Sequence, residues 1–128
     1  MSLANAQYDG NWAVQCTHGK NNTNLTIDAQ NGFSPTELVA TALGACAAMT
    51  MGYYARKHHF SVEGISFSID SNYNSQKNAI ESIDIVFSMP KLPFTPEQKE
   101  QLERVAHKCP VKKSLTDDIA VSLRFEWI

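Results

Sequence analysis

The sequence predicts an α+β domain, and three observations carry the prediction. Alternating apolar residues mark five short strands, two Ser/Thr-Pro signals open helices, and the elements follow one another in the order β-β-α-β-β-α-β. A chain of 128 residues suits one domain, 1–128, with a hydrophobic core of its own. It is too short for a (β/α)₈ barrel or a complete two-half dinucleotide fold.

Trp12, Val14 and Cys16 alternate, as do Leu25 and Ile27, and the turn-forming stretch His18-Gly19-Lys20-Asn21-Asn22 lies between them. That pattern is a β-hairpin. In Ser34-Pro35-Thr36-Glu37, Ser34 suits a helix N-cap, Pro35 the first helical position, and Glu37 completes a capping box. The run from Leu38 to Ala55 carries no charge and is long enough to span a bilayer. Ala, Gly and Thr fill it where a lipid-facing helix would carry Leu and Ile, so we read a long central buried helix that other elements approach closely. Arg56, Lys57, His58 and His59 suit its C-terminus.

Ile65, Phe67 and Ile69 alternate, then Ile83, Ile85 and Phe87, giving two strands joined by the polar stretch 71–78. Pro90 and Pro93 interrupt, and Thr95-Pro96-Glu97-Gln98 repeats the helix-start signal. Leu102, Val105, Ala106 and Cys109 share one face of this second helix, which Pro110 helps to end. Ile119, Val121, Leu123, Phe125 and Trp127 alternate with polar residues as a half-buried final strand.

Apolar residues make up 43% of the chain and charged residues 19%, which argues against disorder. The net charge of −2 gives no electrostatic reason to expect nucleic acid or an anionic membrane as partner. Three cysteines, an odd number in a chain that needs no disulfide framework, favour a reducing, cytoplasmic compartment. The N-terminus has no basic segment followed by an apolar one, so no signal peptide is expected.

The sequence holds no Gly-rich phosphate loop, no Cys-x-x-Cys, no His-Glu-x-x-His and no Gly-x-Ser-x-Gly. The cysteines remain. Taken singly, each reads as a small buried hydrophobe, and Cys16, in phase with Trp12 and Val14, as core packing. Cys46 and Cys109 gain meaning as a pair. Peroxide chemistry needs a thiolate to attack the O–O bond and a second thiol to capture the sulfenic acid. Their separation of 63 residues is no obstacle if the two helices pack together.

A thiol of ordinary pKa, about 8.5, needs a nearby cation to ionise at neutral pH. Lys20, His18, Arg56, His107, Lys108, Lys112 and Lys113 are the candidates by type. Glu37 caps the helix and could also orient such a cation beside Cys46; the roles are compatible. Met49, Met51, Tyr53 and Tyr54 could line an apolar pocket or simply fill the core. His107 with Cys109 lacks the paired spacing of a metal site.

Two stretches resemble the cysteine motifs of the OsmC/Ohr family, the osmotically inducible and organic hydroperoxide resistance proteins. They are Ser34-Pro35-Thr36-Glu37-Leu38-Val39-Ala40-Thr41-Ala42-Leu43-Gly44-Ala45-Cys46 and Cys109-Pro110-Val111-Lys112-Lys113-Ser114-Leu115. The element order is similar as well. The resemblance implies an intertwined homodimer with two sites at the subunit interface. It implies an antioxidant thiol peroxidase acting on organic hydroperoxides, without metal, haem or other cofactor. Cys46 would be the peroxidatic cysteine and Cys109 the resolving one. An external dithiol would reopen their disulfide, as lipoylated proteins do in the best-understood branch.

The sequence departs from the hydroperoxide reductases at two places. Their glutamate ten residues before the first cysteine is Thr36 here, with Glu37 nine before. Their N-terminal arginine is missing, since no arginine precedes Arg56; Lys20 falls near its place, a point charge without the planar fork. The resemblance thus implies a catalytic set of Cys46, Cys109 and Glu37, with Lys20 or His18 as the cation. The departures keep two alternatives in view: a non-enzymatic small-ligand-binding or redox-sensing protein on the same scaffold, and a thiol-disulfide enzyme without peroxide specificity.

Overall fold

The computed structural model describes residues 2–128. Its elements are β1 (Ala4–Tyr8), β2 (Ala13–His18), β3 (Asn24–Asp28), α1 (Pro35–Lys57), β4 (Ser66–Asn74), β5 (Ala79–Ser88), α2 (Pro96–Ala106), α3 (Pro110–Ser114) and β6 (Ala120–Glu126). All the predicted elements are present, with β1 and the short α3 in addition. The chain forms two compact units, one up to Val39 and one from Ala40 to Ile128.

In the first unit β1, β2 and β3 form an antiparallel meander in which Ala6 and Leu25 flank Cys16. β1 reads Ala-Asn-Ala-Gln-Tyr and is exposed along its whole length, so it carries no buried period to betray it; its backbone pairing with β2 makes it a strand. Trp12 stands before β2 at φ 67° and is 63% exposed, while Ala13 is the buried residue. The expected alternation therefore begins only at Val14 and Cys16, both half-buried. Gly19 is required in the β2–β3 turn: a Cβ there would sit 1.8 Å from the Ser2 carbonyl oxygen. Its N–H donates instead to the Leu3 carbonyl at 2.8 Å.

In the second unit β5 is the central strand, antiparallel to β4 and parallel to β6. A parallel neighbour requires a crossover, which α2 and α3 supply. One face of β5 presents Ile83, Ile85 and Phe87 to the core, and Met89 follows in the same phase. Phe67 and Ile69 of β4 and Val121, Leu123 and Phe125 of β6 pack against that core. Each large side chain removed from water here contributes about 1.5–3 kcal/mol.

α1 buries a stripe of Ala40, Leu43, Gly44, Ala47, Met51 and Ala55, the spacing of one helical face. Its length and apolar composition would allow it to cross a membrane, but this stripe belongs to the core. The small residues have a local reason, since Phe67 and Ile69 press directly on Gly44. The opposite face is open: Met49 is 74% and Tyr53 72% exposed. Burial of α1 is thus confined to one stripe.

α2 starts at the predicted capping box, with Gln98 N–H to Thr95 Oγ1 at 3.1 Å and Thr95 N–H to Gln98 Oε1 at 2.9 Å. It buries Leu102 and Ala106 and stops there. Cys109 is therefore not on its face, a correction to the helical spacing read from sequence. It has extended geometry (φ −67°, ψ 146°) as the N-cap residue of α3. Pro110 is the cause, because the residue before a proline is pushed out of the helical region.

Candidate active site

Cys46 lies near the middle of α1, between the buried Gly44 and Ala47, and is half-buried. Its carbonyl accepts a second hydrogen bond, from Thr50 Oγ1 at 2.8 Å. Cys109 is fully buried at 0% exposure. α1 and the α2–α3 corner bring these two thiols near enough to interact.

The Cys109 thiol is held above its ordinary pKa. Burial is the main cause, and the contact with Cys46 adds to it. Two features of Lys112 oppose the rise. Its backbone N–H, third in α3, points at the sulfur without closing a capping hydrogen bond, and its ammonium lies near enough to favour the thiolate. The pair is therefore asymmetric: one thiol is partly open to solvent, and the other is buried and kept protonated.

Lys112 is a cation beside Cys109. The sequence offered it only as one of seven basic residues. The signal was present, since the third residue after Cys109 faces the cap of a short helix, but it could not be used while Cys109 was placed on α2. Its charge also reaches His107, which lies below its ordinary pKa through burial first and Lys112 second, against an opposing pull from Glu103.

The other predicted site residues belong to the first unit, each with a local role. Glu37 completes the capping box: Ser34 N–H donates to Glu37 Oε1 at 2.9 Å, and Glu37 N–H to Ser34 Oγ at 3.2 Å. The Ser34 N–H, and secondarily its hydroxyl, hold the Glu37 carboxyl below its ordinary value of 4.5. Because the folded value is depressed, this stabilisation is fully present above pH 4.5 and is lost as pH falls through the lower folded value. His18 Nδ1 accepts from the backbone N–H groups of Lys20 and Asn21 at 3.2 and 3.1 Å. Lys20 is exposed on that same turn.

Glu37→Gln separates the two roles of this residue. Gln retains the capping geometry, so the melting temperature at pH 7 should change little. If the charge orients a cation for Cys46, hydroperoxide turnover should fall about tenfold or more. Unchanged turnover would reduce Glu37 to a cap.

A cavity of about 740 Å³ lies along the open face of α1, bounded by Met49, Tyr53, Arg56, Phe60, Glu63 and Ile65 among others. Of the four residues considered for an apolar pocket, Met49 and Tyr53 line it. Met51 is wholly buried in the core, and Tyr54 packs against His58 and Phe60 at 4.3 and 6.2 Å. Among the described residues, His107 and Cys109 gain no further ligand that would make a metal site.

A sequence model of the OsmC-like protein family matches residues 28–124, which include both cysteines. No curated protein matches the chain by sequence. Several solved structures share the fold. A Psychrobacter arcticus protein, provisionally described as an osmotic stress induced and detoxification response protein, superposes with a TM-score of 0.92 at 22% identity, covering 98% of this chain and 96% of its own. An OsmC like protein from Mycoplasma pneumoniae gives 0.82 at 14% identity, covering 98% and 95%. The organic hydroperoxide resistance protein OhrB of Bacillus subtilis gives 0.67 at 18% identity, covering 98% of each chain. With the family match spanning most of the sequence and both ends of the thiol pair, the chain belongs to the OsmC-like protein family.

Proposed function

We propose that this protein is a cysteine-based peroxidase that reduces organic hydroperoxides through a Cys46–Cys109 disulfide. The observation that carries the proposal is that a half-buried Cys46 and a fully buried Cys109 lie near enough to interact. Cys46, as thiolate, attacks the distal oxygen of ROOH; the O–O bond breaks, ROH leaves with one proton, and Cys46 becomes a sulfenic acid. Cys109 sulfur then attacks Cys46 sulfur, its proton leaves with the hydroxyl as water, and the disulfide forms. An external dithiol returns both thiols and is itself oxidised to a disulfide.

The division of labour follows from burial. Protonation keeps Cys109 from competing for peroxide, and its position against Cys46 keeps it at hand for resolution. In this reading Lys20 stabilises the attacking thiolate and the leaving oxygen, Glu37 orients it, and His18 holds the turn that carries it. The active form is a cytoplasmic homodimer, and the open apolar face of α1 around Met49 and Tyr53 is the surface a second copy would cover.

A near-stoichiometric dose of an aryl hydroperoxide added to the reduced protein tests this. Rapid peroxide loss with a Cys46–Cys109 bridge in the peptide map is the expected result. Slow loss with all three thiols intact would overturn it. The cavity beside Met49 and Tyr53 would then favour a second reading, a non-enzymatic binder of small apolar molecules on the same scaffold.

A further inference from the structure

Charge is distributed unevenly along this chain. Residues 104–113 contain Arg104, Lys108, Lys112 and Lys113 and no acidic side chain, leaving 7 basic against 13 acidic side chains elsewhere. Arg104 is paired with Glu100 at 3.3 Å, whereas Lys108, Lys112 and Lys113 form no ion pair among the described residues. Lys108 and Lys113 are exposed, and Lys112 is half-buried. The three lysines bracket Cys109: Lys108 precedes it, and Lys112 and Lys113 lie on the helix it caps. An acidic protein thus carries a basic segment, and that segment contains Cys109, one half of the thiol pair.

We propose that Lys108, Lys112 and Lys113 form the landing surface for the reductant, and that the reductant is a dithiol that carries negative charge on the same molecule as its sulfurs. The inference rests on the Cys46–Cys109 cycle proposed above. The reductant must approach a disulfide whose Cys109 side is buried, so the half-exposed Cys46 sulfur is the one open to attack. One reductant thiolate attacks Cys46 sulfur, the Cys46–Cys109 bond breaks, and Cys109 leaves as a thiolate. The second reductant thiol then attacks the mixed disulfide. Cys46 is released as a thiolate and takes up a proton, as Cys109 does, while the reductant becomes a disulfide. Burial makes Cys109 a poor leaving group, and Lys112 is placed to offset this through both its N–H and its ammonium. The exposed Lys108 and Lys113 would raise the local concentration of an anionic reductant, while Lys112 stabilises the leaving sulfur.

The test compares dihydrolipoate with its neutral amide, which present the same dithiol with and without a carboxylate. The protein is first oxidised with diamide, so that disulfide formation does not depend on peroxide, and the bridge is mapped. The rate of thiol recovery is then followed at low and high salt. Dihydrolipoate is expected to react about tenfold faster than the amide at low salt, an advantage lost near about 0.5 M salt, where charges are screened within a few Å. Lys108→Gln with Lys113→Gln should remove the advantage and leave the amide rate unchanged. Lys112→Gln should slow both reductants, because it also acts on the leaving thiolate. Equal rates for the two reductants, indifferent to salt, would overturn the landing surface while leaving the disulfide cycle intact. Failure of diamide to give a Cys46–Cys109 bridge would overturn the cycle and the landing surface together.

Discussion

Cys46→Ser should abolish hydroperoxide turnover, while Cys109→Ser should consume a first equivalent of peroxide per chain and then lose the dithiol-driven cycle. A serine hydroxyl cannot attack the O–O bond as a thiolate does, so the first variant should lose at least about a thousandfold in rate. The second retains the attacking sulfur and loses only the group that captures the sulfenic acid. Its product should therefore be trapped by dimedone at Cys46, and peroxide in excess should drive that sulfur on to sulfinic acid. Cys16→Ser serves as the control. Cys16 sits half-buried on β2 in the other unit, and the thiol that interacts with Cys109 is Cys46. Undiminished turnover by Cys109→Ser with the dithiol that supports the unsubstituted protein would show that Cys109 has no part in resolving the sulfenic acid.

The sequence singled out the pair by its chemistry and by resemblance, but its geometry was not legible. Periodicity placed Cys109 on α2 because Leu102, Val105 and Ala106 do share a face, and one more residue fits the spacing. The preceding-proline rule was the stronger constraint: it forces residue 109 out of the helix and makes it the cap of the next one. That displacement is what sets Lys112 against the thiol. The capping boxes at Ser34 and Thr95 were readable because they are purely local, a side chain and a backbone three residues apart. β1 was not, because a strand exposed along its whole length is specified by its neighbour's hydrogen bonds rather than by its own side chains. The small residues of α1 signalled close approach, and Phe67 against Gly44 is that approach. They could not say that only one face would be covered within the chain.

That close approach yields two substitutions of the same kind on the same helix with opposite expected signs. In an open helix interior, Gly→Ala gains about 0.5–1 kcal/mol by restricting the unfolded chain. Gly52→Ala should show this gain, because the nearest atom to its new methyl group is Val62 Cγ2, 4.0 Å away. Gly44→Ala should not. Its Cβ would stand 2.6 and 2.9 Å from two atoms of the Phe67 ring and 3.2 Å from Ile69 Cδ1. The ring has little room to retreat: it packs on Phe87 at 5.5 Å, and Phe87, fully buried, stacks on Phe125 at 5.2 Å. Overpacking of this kind costs about 1–3 kcal/mol, which outweighs the helix gain. Gly44→Ala should therefore lower the melting temperature by several degrees, and Gly44→Val by considerably more, since it adds bulk and a stiff β-branch at the same contact. Phe67→Leu should cost stability alone yet recover part of the loss when combined with Gly44→Ala, the non-additivity expected of residues in contact. Equal stabilisation at Gly44 and Gly52 would mean that α1 and β4 are free to separate. The half-buried setting of Cys46, two residues beyond Gly44, would then not be fixed by this packing.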